Sequence, residues 1–464
     1  MDSSLRFAEF TLSEAEGFRM TRKPVIIVGG GLSGLAAAVE LTSRNIPVVL
    51  LEQKPKLGGR AYSFVDAITG DVIDNGQHVL IAGYERTMAF LERIGTKHLL
   101  TIQEKPTLHF HHPTRGFCEF ILPKLPSPLH LIVGILSTNL FSFADKLRLL
   151  RAGFSLQFAS NHPLLDEVTI EDWLKAVGQS EETNRSFWEP LAISIMNEHI
   201  AKASAKIFVR SLRHAFLCGW KNSSLAIPRV GLSELYVHDA LKFIEQRGTA
   251  VQLNADVVEI VLKDNKVRAV KLRDNSEIEC SVVILSVPHF RLHTILPTEL
   301  GITLATIGAQ PSTPIVSMHL WFDNDFMSHE FVGLIDRRLQ WIFNKRKINR
   351  EQGRGGHVSC VISGAEKFVE MTNDDLVKLA MGDLRTVYAS VPEPLNAVVI
   401  REKRATLSCT PEAEKVRPNH QTSIPNLFLA GDWTNTGLPA TIEGAIISGE
   451  RCAELAITHV RNPA

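Results

Sequence analysis

A chain of 464 residues predicts about three structural units by length alone, or two where enzyme domains are intertwined. Its 45% hydrophobic and 22% charged residues are typical of a globular protein and exclude long disorder, collagen and low-complexity fibres. Fifty Lys and Arg offset fifty Asp and Glu, so the overall charge gives no indication of a nucleic-acid partner. Six scattered cysteines without a CxxC pair indicate reduced thiols in a cytoplasmic protein.

The first 23 residues mix charges with isolated apolar side chains. They lack the continuous apolar core of a secretory signal, so we interpret residues 1–23 as an N-terminal extension. No uninterrupted run of about 18 apolar residues follows, and the chain is not expected to span a membrane.

A β-α-β unit is the first predicted element. Val25–Val28 is a β-branched run typical of a buried parallel strand, and good helix formers follow from Leu35 to Arg44. Val48–Leu51 is a second buried strand, which ends at Glu52.

The glycines between the first strand and the helix fit a GxGxxG motif, with Gly29, Gly31 and Gly34 at its fixed positions and Ser33 inside it. The first glycine permits a tight turn, the second lets backbone N–H groups approach a pyrophosphate, and the third lets the helix pack closely on the strand. Glu52 stands where a carboxylate can accept the hydroxyls of a ribose. The pattern predicts a dinucleotide site.

Gly58, Gly59 and Arg60 come soon after this unit. They form either a turn with a surface arginine or a second anion contact, since a guanidinium pairs bidentately with phosphate oxygens. NAD-dependent enzymes with the same first motif do not need the second contact, so its presence favours FAD.

Residues 84–230 are mostly helical in pattern. The apolar stretch Leu129–Leu136, followed by Leu140 and Phe141, predicts either a core helix or a monotopic surface that dips into one leaflet. The histidines at 109, 111 and 112 and Cys118 lack the ligand spacing of a zinc site, and no metal is expected.

Residues 291–401 alternate apolar and polar side chains. Ile315–Trp321 and Val358–Ile362 predict strands of an antiparallel sheet. The basic run at 344–350 forms either a contact with anionic lipid or, more commonly, a solvated loop.

The remaining segments resemble the first β-α-β unit in pattern. Residues 231–290 have an α/β pattern. Leu427–Ala430 predicts a strand, and a helix is expected from about Thr441 to His459. The predicted fold class is therefore α/β. A discontinuous Rossmann-like FAD-binding domain is expected from 24–83, 231–290 and 402–464. A substrate domain with helices and a mixed or antiparallel sheet is expected from 84–230 and 291–401.

These motifs resemble the flavin-dependent amine oxidase and phytoene desaturase superfamily. Within it, the motif that resembles the hydroxysqualene dehydroxylases, FAD enzymes of hopanoid synthesis, comprises Asp74, Asn75, Gly76, Gln77 and His78, followed by Tyr84. Ala430–Thr434 and Gly437–Ala445 agree with the same family. The similarity runs from about residue 24 to about residue 457.

The resemblance implies FAD, and the surroundings of Cys409 do not match a covalent tether, so noncovalent binding is expected. It implies that Val257 contacts adenine through its backbone and that Asp432 accepts from the ribityl chain, although Asp432 could instead cap a helix. The helix after Gly437 would direct its N-terminus at the flavin. The full set of expected FAD contacts is Gly29, Gly31, Ser33, Gly34, Glu52, Gly59, Arg60, Asn75, Gly76, Val257, Gly431, Asp432, Thr441, Ile442 and Gly444.

The resemblance also implies removal of the allylic hydroxyl of hydroxysqualene, with hydride from reduced FAD and loss of water. Asp74, Gln77 and His78 would lie near the flavin ring, and His78 is the first candidate for the acid because its ordinary pKa is nearest the working pH. Alternatively, His78 only orders the loop, and Gln77 or Asn75 positions flavin or water. The expected partners are a hydrophobic isoprenoid, an unidentified electron donor and the inner face of a membrane.

Two other functions fit the same motifs. One is an oxidative polyene desaturase or amine oxidase of this fold. The other is a prenyl-binding escort protein without flavin, which the nearly complete C-terminal flavin motif disfavours.

Overall fold

The computed structural model describes residues 23–159, 163–297, 300, 304–351 and 355–462. Apart from Lys23, the expected N-terminal extension lies outside the described residues.

Strands and helices alternate irregularly along the chain. The strands of the described residues are β1 (Val25–Val28), β2 (Val48–Glu52), β3 (Ser63–Val65), β4 (Val72–Asp74), β5 (Leu80–Ile81), β6 (Leu100–Ile102), β7 (Thr107–His112), β8 (Gly116–Ile121), β9 (Leu225–Pro228), β10 (Ala250–Leu253), β11 (Val257–Lys263), β12 (Lys266–Leu272), β13 (Glu277–Glu279), β14 (Val282–Leu285), β15 (Ser312–Phe322), β16 (Phe331–Leu334), β17 (Trp341–Asn344), β18 (Gly356–Ser363), β19 (Asn396–Leu407) and β20 (Leu427–Leu429).

The α-helices of the same residues are Leu32–Ser43, Glu85–Ile94, Leu129–Ser137, Phe143–Ala159, Ile170–Ala176, Glu181–Thr183, Glu189–Met196, Ala205–Leu217, Asp239–Glu245, Ala305–Gly308, Lys345–Ile348, Asn373–Val387, Pro411–Val416 and Ile442–Arg461. Short 3-10 segments are Lys97–Leu99, Pro163–Asp166, Trp220–Ser223 and His289–Thr294, and π-helical turns are Asn184–Trp188 and Glu234–His238. Within the described residues, no helix combines the length and the hydropathy needed to cross a bilayer.

A five-stranded parallel sheet, in the order β10-β2-β1-β14-β20, forms the nucleotide-binding domain. Its central strands are buried on both faces, as their continuous apolar sequences require of parallel strands. Helices Leu32–Ser43 and Ile442–Arg461 contribute to the core on one face, and β11 and β12 contribute to the core on the other. The predicted α/β class with a discontinuous Rossmann-like domain is confirmed.

A seven-stranded sheet, in the order β19-β15-β18-β17-β16-β7-β8, carries the second domain. The two segments predicted to be strands lie in β15 and β18 and pair antiparallel, as expected. The sheet is mixed, because β16 and β7 run parallel.

Residues 84–230 contain more strand than their pattern indicated. They supply β7 and β8 to the large sheet and β6 and β9 to a small one. In β8, Cys118 and Phe120 are buried while their neighbours are exposed, which is the period of two that a half-buried strand requires. This signal is only six residues long, and the helical patterns that follow it are much longer.

Two elements lie across the boundaries expected from sequence. Strand β19 continues in the large sheet through residue 402 to Leu407. Helix Glu85–Ile94 packs Met88, Phe90 and Leu91 into the core of the nucleotide-binding domain. Contacts with the core decide which domain each element joins, and the local sequence does not record those contacts.

Candidate active site

One cavity of about 810 Å³ extends from the glycine loop after β1 to the large sheet. The predicted site residues that line it are Gly29, Gly31, Ser33, Glu52, Gly59, Arg60, Asn75, Gly76, Gln77, His78, Val257, Gly431, Asp432, Thr441 and Ile442. Asp74, Gly34 and Gly444 are not among the described residues that line it. Residues from both ends of the chain therefore meet at one site.

Each glycine of the loop after β1 meets a different steric requirement. Gly29 has φ +106°, and a Cβ there would lie 2.4 Å from the Ser286 carbonyl oxygen. A Cβ on Gly34 would lie 2.0 Å from the Gly29 carbonyl oxygen, so Gly34 allows the helix to approach the strand. A Cβ on Gly31 would meet only the Cα of Gly59, at 4.0 Å. Gly31 thus borders open cavity, where a pyrophosphate can approach the backbone.

Glu52 is held towards this loop by two backbone groups. Its Oε2 accepts from the Gly30 N–H at 2.7 Å and its Oε1 accepts from the Lys54 N–H at 2.8 Å. A carboxylate has further lone pairs for ribose hydroxyls. Its orientation and its place in the cavity wall fit the predicted ribose contact.

Arg60 and Asp432, which were predicted separately, form an ion pair. The Nη2 of Arg60 lies 2.6 Å from the Oδ1 of Asp432, and its Nη1 donates to the Ala405 carbonyl at 2.8 Å. This guanidinium ties the loop after β2 to β19 and to the turn after β20. Sequence gave no signal of the pairing, because the two residues are 372 positions apart.

The helix Ile442–Arg461 begins at the cavity. Its N-cap is Thr441, whose Oγ1 accepts from the Gly444 N–H at 3.1 Å. The alternative that Asp432 caps this helix is therefore wrong, and the Gly444 N–H is already bonded. The positive end of the helix still opens on the cavity through Thr441 and Ile442.

These residues fit FAD. The Gly31 cradle suits a pyrophosphate, Glu52 suits a ribose, and two helix N-termini face the cavity. Val257, the buried first residue of β11, also lines the cavity, as the adenine contact requires.

The other end of the cavity is apolar and aromatic. Its wall includes Phe110, Phe120, Leu122, Phe187, Phe216 and Phe331. Such a lining suits a hydrocarbon chain and excludes water.

Asp74 ends β4 with its carboxylate bonded on both oxygens. Oδ1 accepts from the Ser63 hydroxyl at 2.8 Å and from the Leu232 N–H at 2.9 Å, and Oδ2 lies 3.3 Å from the Lys345 Nζ. Both side chains of the ion pair are 3% exposed. This geometry gives the predicted catalytic Asp74 no direct access to the cavity, so any influence on substrate passes through its neighbours.

The centre of the basic run at 344–350 is buried, and it is therefore neither a lipid contact nor a solvated loop. Lys345 and Arg346 are buried, and Arg346 makes a bidentate pair with Asp71 at 2.6 and 3.0 Å. Lys347 is partly exposed and bonds Asp325 at 2.7 Å. For Lys345 and Arg346 both sequence interpretations were wrong, because buried carboxylates at β4 required cationic partners.

His78 lines the cavity in the neutral form. Its Nδ1 lies 2.8 Å from the Gly76 carbonyl oxygen, which can only accept, so Nδ1 carries the proton. Burial lowers the pKa of His78, and the Lys345 ammonium acts in the same direction, against the Gly76 carbonyl and the Asp74 carboxylate. The imidazole therefore needs acidic solution to become a proton donor through Nε2.

The fold and this site define an FAD-dependent oxidoreductase. The sequence profile of the family described as flavin containing amine oxidoreductase matches residues 32–457. The chain belongs to this family, and the flavin-free escort alternative is not retained.

Known proteins resemble the chain over nearly its whole length. It is 28% identical over 446 residues to hydroxysqualene dehydroxylase of Sinorhizobium fredii, which covers 94% of this chain and 99% of the relative. It is 23% identical to 15-cis-phytoene desaturase of Glycine max, over 98% of this chain and 83% of the relative. The solved structure of an oxidoreductase from Methanosarcina mazei superposes with a TM-score of 0.73 at 16% identity, over 93% of this chain and 100% of that one.

Proposed function

We propose that this enzyme reductively removes the allylic hydroxyl of hydroxysqualene and yields squalene. The observation that carries the proposal is the continuity of one cavity, whose FAD end meets an aromatic, apolar end with Gln77 and His78 in the wall. The 28% identical dehydroxylase supports the same reaction.

The reaction breaks one C–O bond and forms one C–H bond. Reduced FAD, when bound, supplies the hydride. The departing oxygen takes up a proton and leaves as water, so the substrate gains two electrons in total. We assign the bonding of this oxygen to Gln77 and His78, which both line the cavity, and we expect the aromatic wall to keep bulk water from the allylic carbon.

Anaerobic product analysis tests the proposal. Chemically reduced holoenzyme given hydroxysqualene is expected to form squalene, with one squalene per reduced flavin in a single turnover. Oxidised enzyme under the same conditions should form none. A product with more double bonds, made only by oxidised enzyme, would establish instead the oxidative desaturase that the 23% identical relative favours.

A membrane surface is the second part of the proposal, because squalene and its alcohol reside in lipid. Helix Leu129–Ser137 exposes Leu129, Val133 and Leu136 on one face, each at 41–50%. Helix Phe143–Ala159 exposes Phe143, Leu147 and Phe154 on one face, each at 51–72%. These six side chains form the apolar patch, and exposed patches of this kind mark interaction surfaces.

The apolar patch adjoins the substrate end of the cavity. Lys146 of the second helix donates to the Leu136 carbonyl of the first at 2.7 Å, which brings the two faces together. A Cβ on Gly134 would lie 2.5 Å from Leu122, and Leu122 lines the cavity. The first helix therefore covers the cavity wall and could admit a hydrocarbon from the lipid side.

The charge around the patch suits anionic lipid. From residue 120 to residue 165 the only carboxylate in the sequence is Asp145, which is buried. Of the basic residues in this stretch, Lys124 and Arg148 pair with Glu104 and Asp145, and Lys146 and Arg151 lie on the second helix. Basic side chains beside an inserted apolar face strengthen binding to anionic bilayers.

Vesicle sedimentation tests the membrane contact. The wild type is expected to pellet with vesicles of phosphatidylcholine and phosphatidylglycerol, and the double variant Phe143→Asp/Phe154→Asp should remain in the supernatant. Leu395→Asp, at a 73% exposed leucine outside the patch, is the matched control and should pellet. A wild type that never pellets, or equal loss in the control, would refute the contact.

A further inference from the structure

Lys345 is a buried ammonium directly behind the cavity wall. It is buried and begins a short helix whose N-cap is Asn344. Its Nζ lies 3.3 Å from the Asp74 Oδ2 and 2.8 Å from the Gln77 Oε1. Gln77 lines the cavity, and Lys345 is not among the described residues that do.

This contact determines which way the Gln77 amide points. The two ends of an amide look alike, and an ammonium has donors only. The Gln77 atom nearest Lys345 must therefore be the oxygen. The opposite end is the –NH₂ group, which donates once to the His78 carbonyl at 3.2 Å. Among the described residues, its second N–H has no protein partner.

The position of Lys345 is itself fixed. Asp74 holds the ammonium, and Asp74 is held by Ser63 and by the Leu232 backbone. Strand β17, which ends at Asn344, places Lys345 beside β18 and the loop after β4. The ion pair is thus a rigid support beneath Gln77.

We propose that Lys345 is a positioning residue that turns the Gln77 amide so that it offers an N–H donor to the cavity, and that this donor selects substrates with a hydroxyl oxygen. The inference rests on the proposed function for the identity of the substrate. A flipped amide would offer its oxygen to the cavity, which can accept the hydroxyl proton but cannot donate to the hydroxyl oxygen that has to leave.

The test compares two ligands that differ only in the hydroxyl. Oxidised holoenzyme is titrated with hydroxysqualene and with squalene, and the dissociation constants are followed by the flavin absorbance. The wild type is expected to bind hydroxysqualene about 3- to 10-fold more tightly, as one additional hydrogen bond allows.

The double variant Asp74→Asn/Lys345→Met removes both charges and so leaves no unpaired carboxylate. It should bind squalene as the wild type does and should bind hydroxysqualene less tightly than the wild type does, because the amide is no longer held with its N–H group towards the cavity. Lys345→Arg, which keeps the cation, should retain part of the preference. Lys347→Met, on the same short helix, is the matched control and should behave as the wild type.

Gln77→Leu keeps the ion pair and should also lose the preference, which covers the case of a double variant that fails to fold. A preference of undiminished size in the double variant or in Gln77→Leu would overturn the inference, as would a wild type that binds both ligands alike. A wild type that prefers hydroxysqualene and forms no squalene would refute the proposed function and leave the inference standing.

Discussion

Gly31→Val is expected to abolish FAD binding while the protein still folds. The Cβ would enter open cavity, with the Cα of Gly59 at 4.0 Å as its nearest neighbour, so the Cβ itself displaces no packed atom. The backbone at Gly31 has φ −73° and ψ −178°, which valine adopts without strain. The branched side chain would fill the space that a pyrophosphate needs to approach the backbone amides.

Flavin content and melting temperature of the purified variant measure this result. We expect less than about a tenth of the wild-type flavin absorbance, since losing several charge-assisted contacts removes well over tenfold in affinity. Gly382→Val is the control, because a Cβ there meets nothing within 4 Å and Gly382 lies on the helix Asn373–Val387, away from the cavity. Full flavin content in Gly31→Val would place the phosphates elsewhere.

His78→Ala is expected to keep FAD and to slow turnover by about 10²–10⁴-fold if His78 is the general acid. The acid must be the imidazolium, because the neutral ring uses its only N–H on Gly76. Burial and Lys345 lower the pKa of His78 below its ordinary 6.5, although Asp74 opposes them. The protonated fraction is therefore largest in acid and falls as the pH rises through the folded pKa.

The pH profile of kcat/KM between about pH 5 and pH 8 provides the measurement. The wild type should lose activity as the pH rises, and His78→Ala should lack that dependence. His98→Ala is a suitable control, since His98 makes the same kind of Nδ1 bond, to the Gly95 carbonyl at 2.9 Å, on the surface. Unchanged turnover in His78→Ala would mean that His78 only orders the loop.

Local sequence patterns predicted the features that depend on residues close together in the sequence. The glycines of the phosphate loop and Glu52 lie within one β-α-β unit, so their spacing alone carries the site. The pairs Arg60–Asp432 and Asp74–Lys345 join residues 372 and 271 positions apart, and no local pattern records such contacts. A run of charged residues ordinarily indicates a solvent-exposed segment. For this reason sequence did not predict that Lys345 and Arg346 are buried.

The helix Leu129–Ser137 shows a different limit. Sequence predicted either a core helix or a monotopic surface that dips into one leaflet, and the structure shows a helix with one buried face and one exposed face. His130, Gly134 and Ile135 are buried on one face, while Leu129 and Leu136 are exposed on the other. Because both faces of this helix carry apolar residues, its sequence lacks the helical periodicity that distinguishes a buried face from an exposed one. Only the packing in the structure shows which face is buried.

The division of the nucleotide-binding sheet between distant stretches sets the timing of assembly on the ribosome. Strand β20 and helix Ile442–Arg461 complete the sheet and one side of the cavity, and they are synthesised some 400 residues after β1. Until then β14 is an unpaired edge, of the kind that invites wrong pairing in incomplete chains. The helix that begins at Ile442 completes the cavity wall, so flavin should be held fully only once this late segment has folded. Loading should therefore depend on how long the edge of β14 stays protected until then.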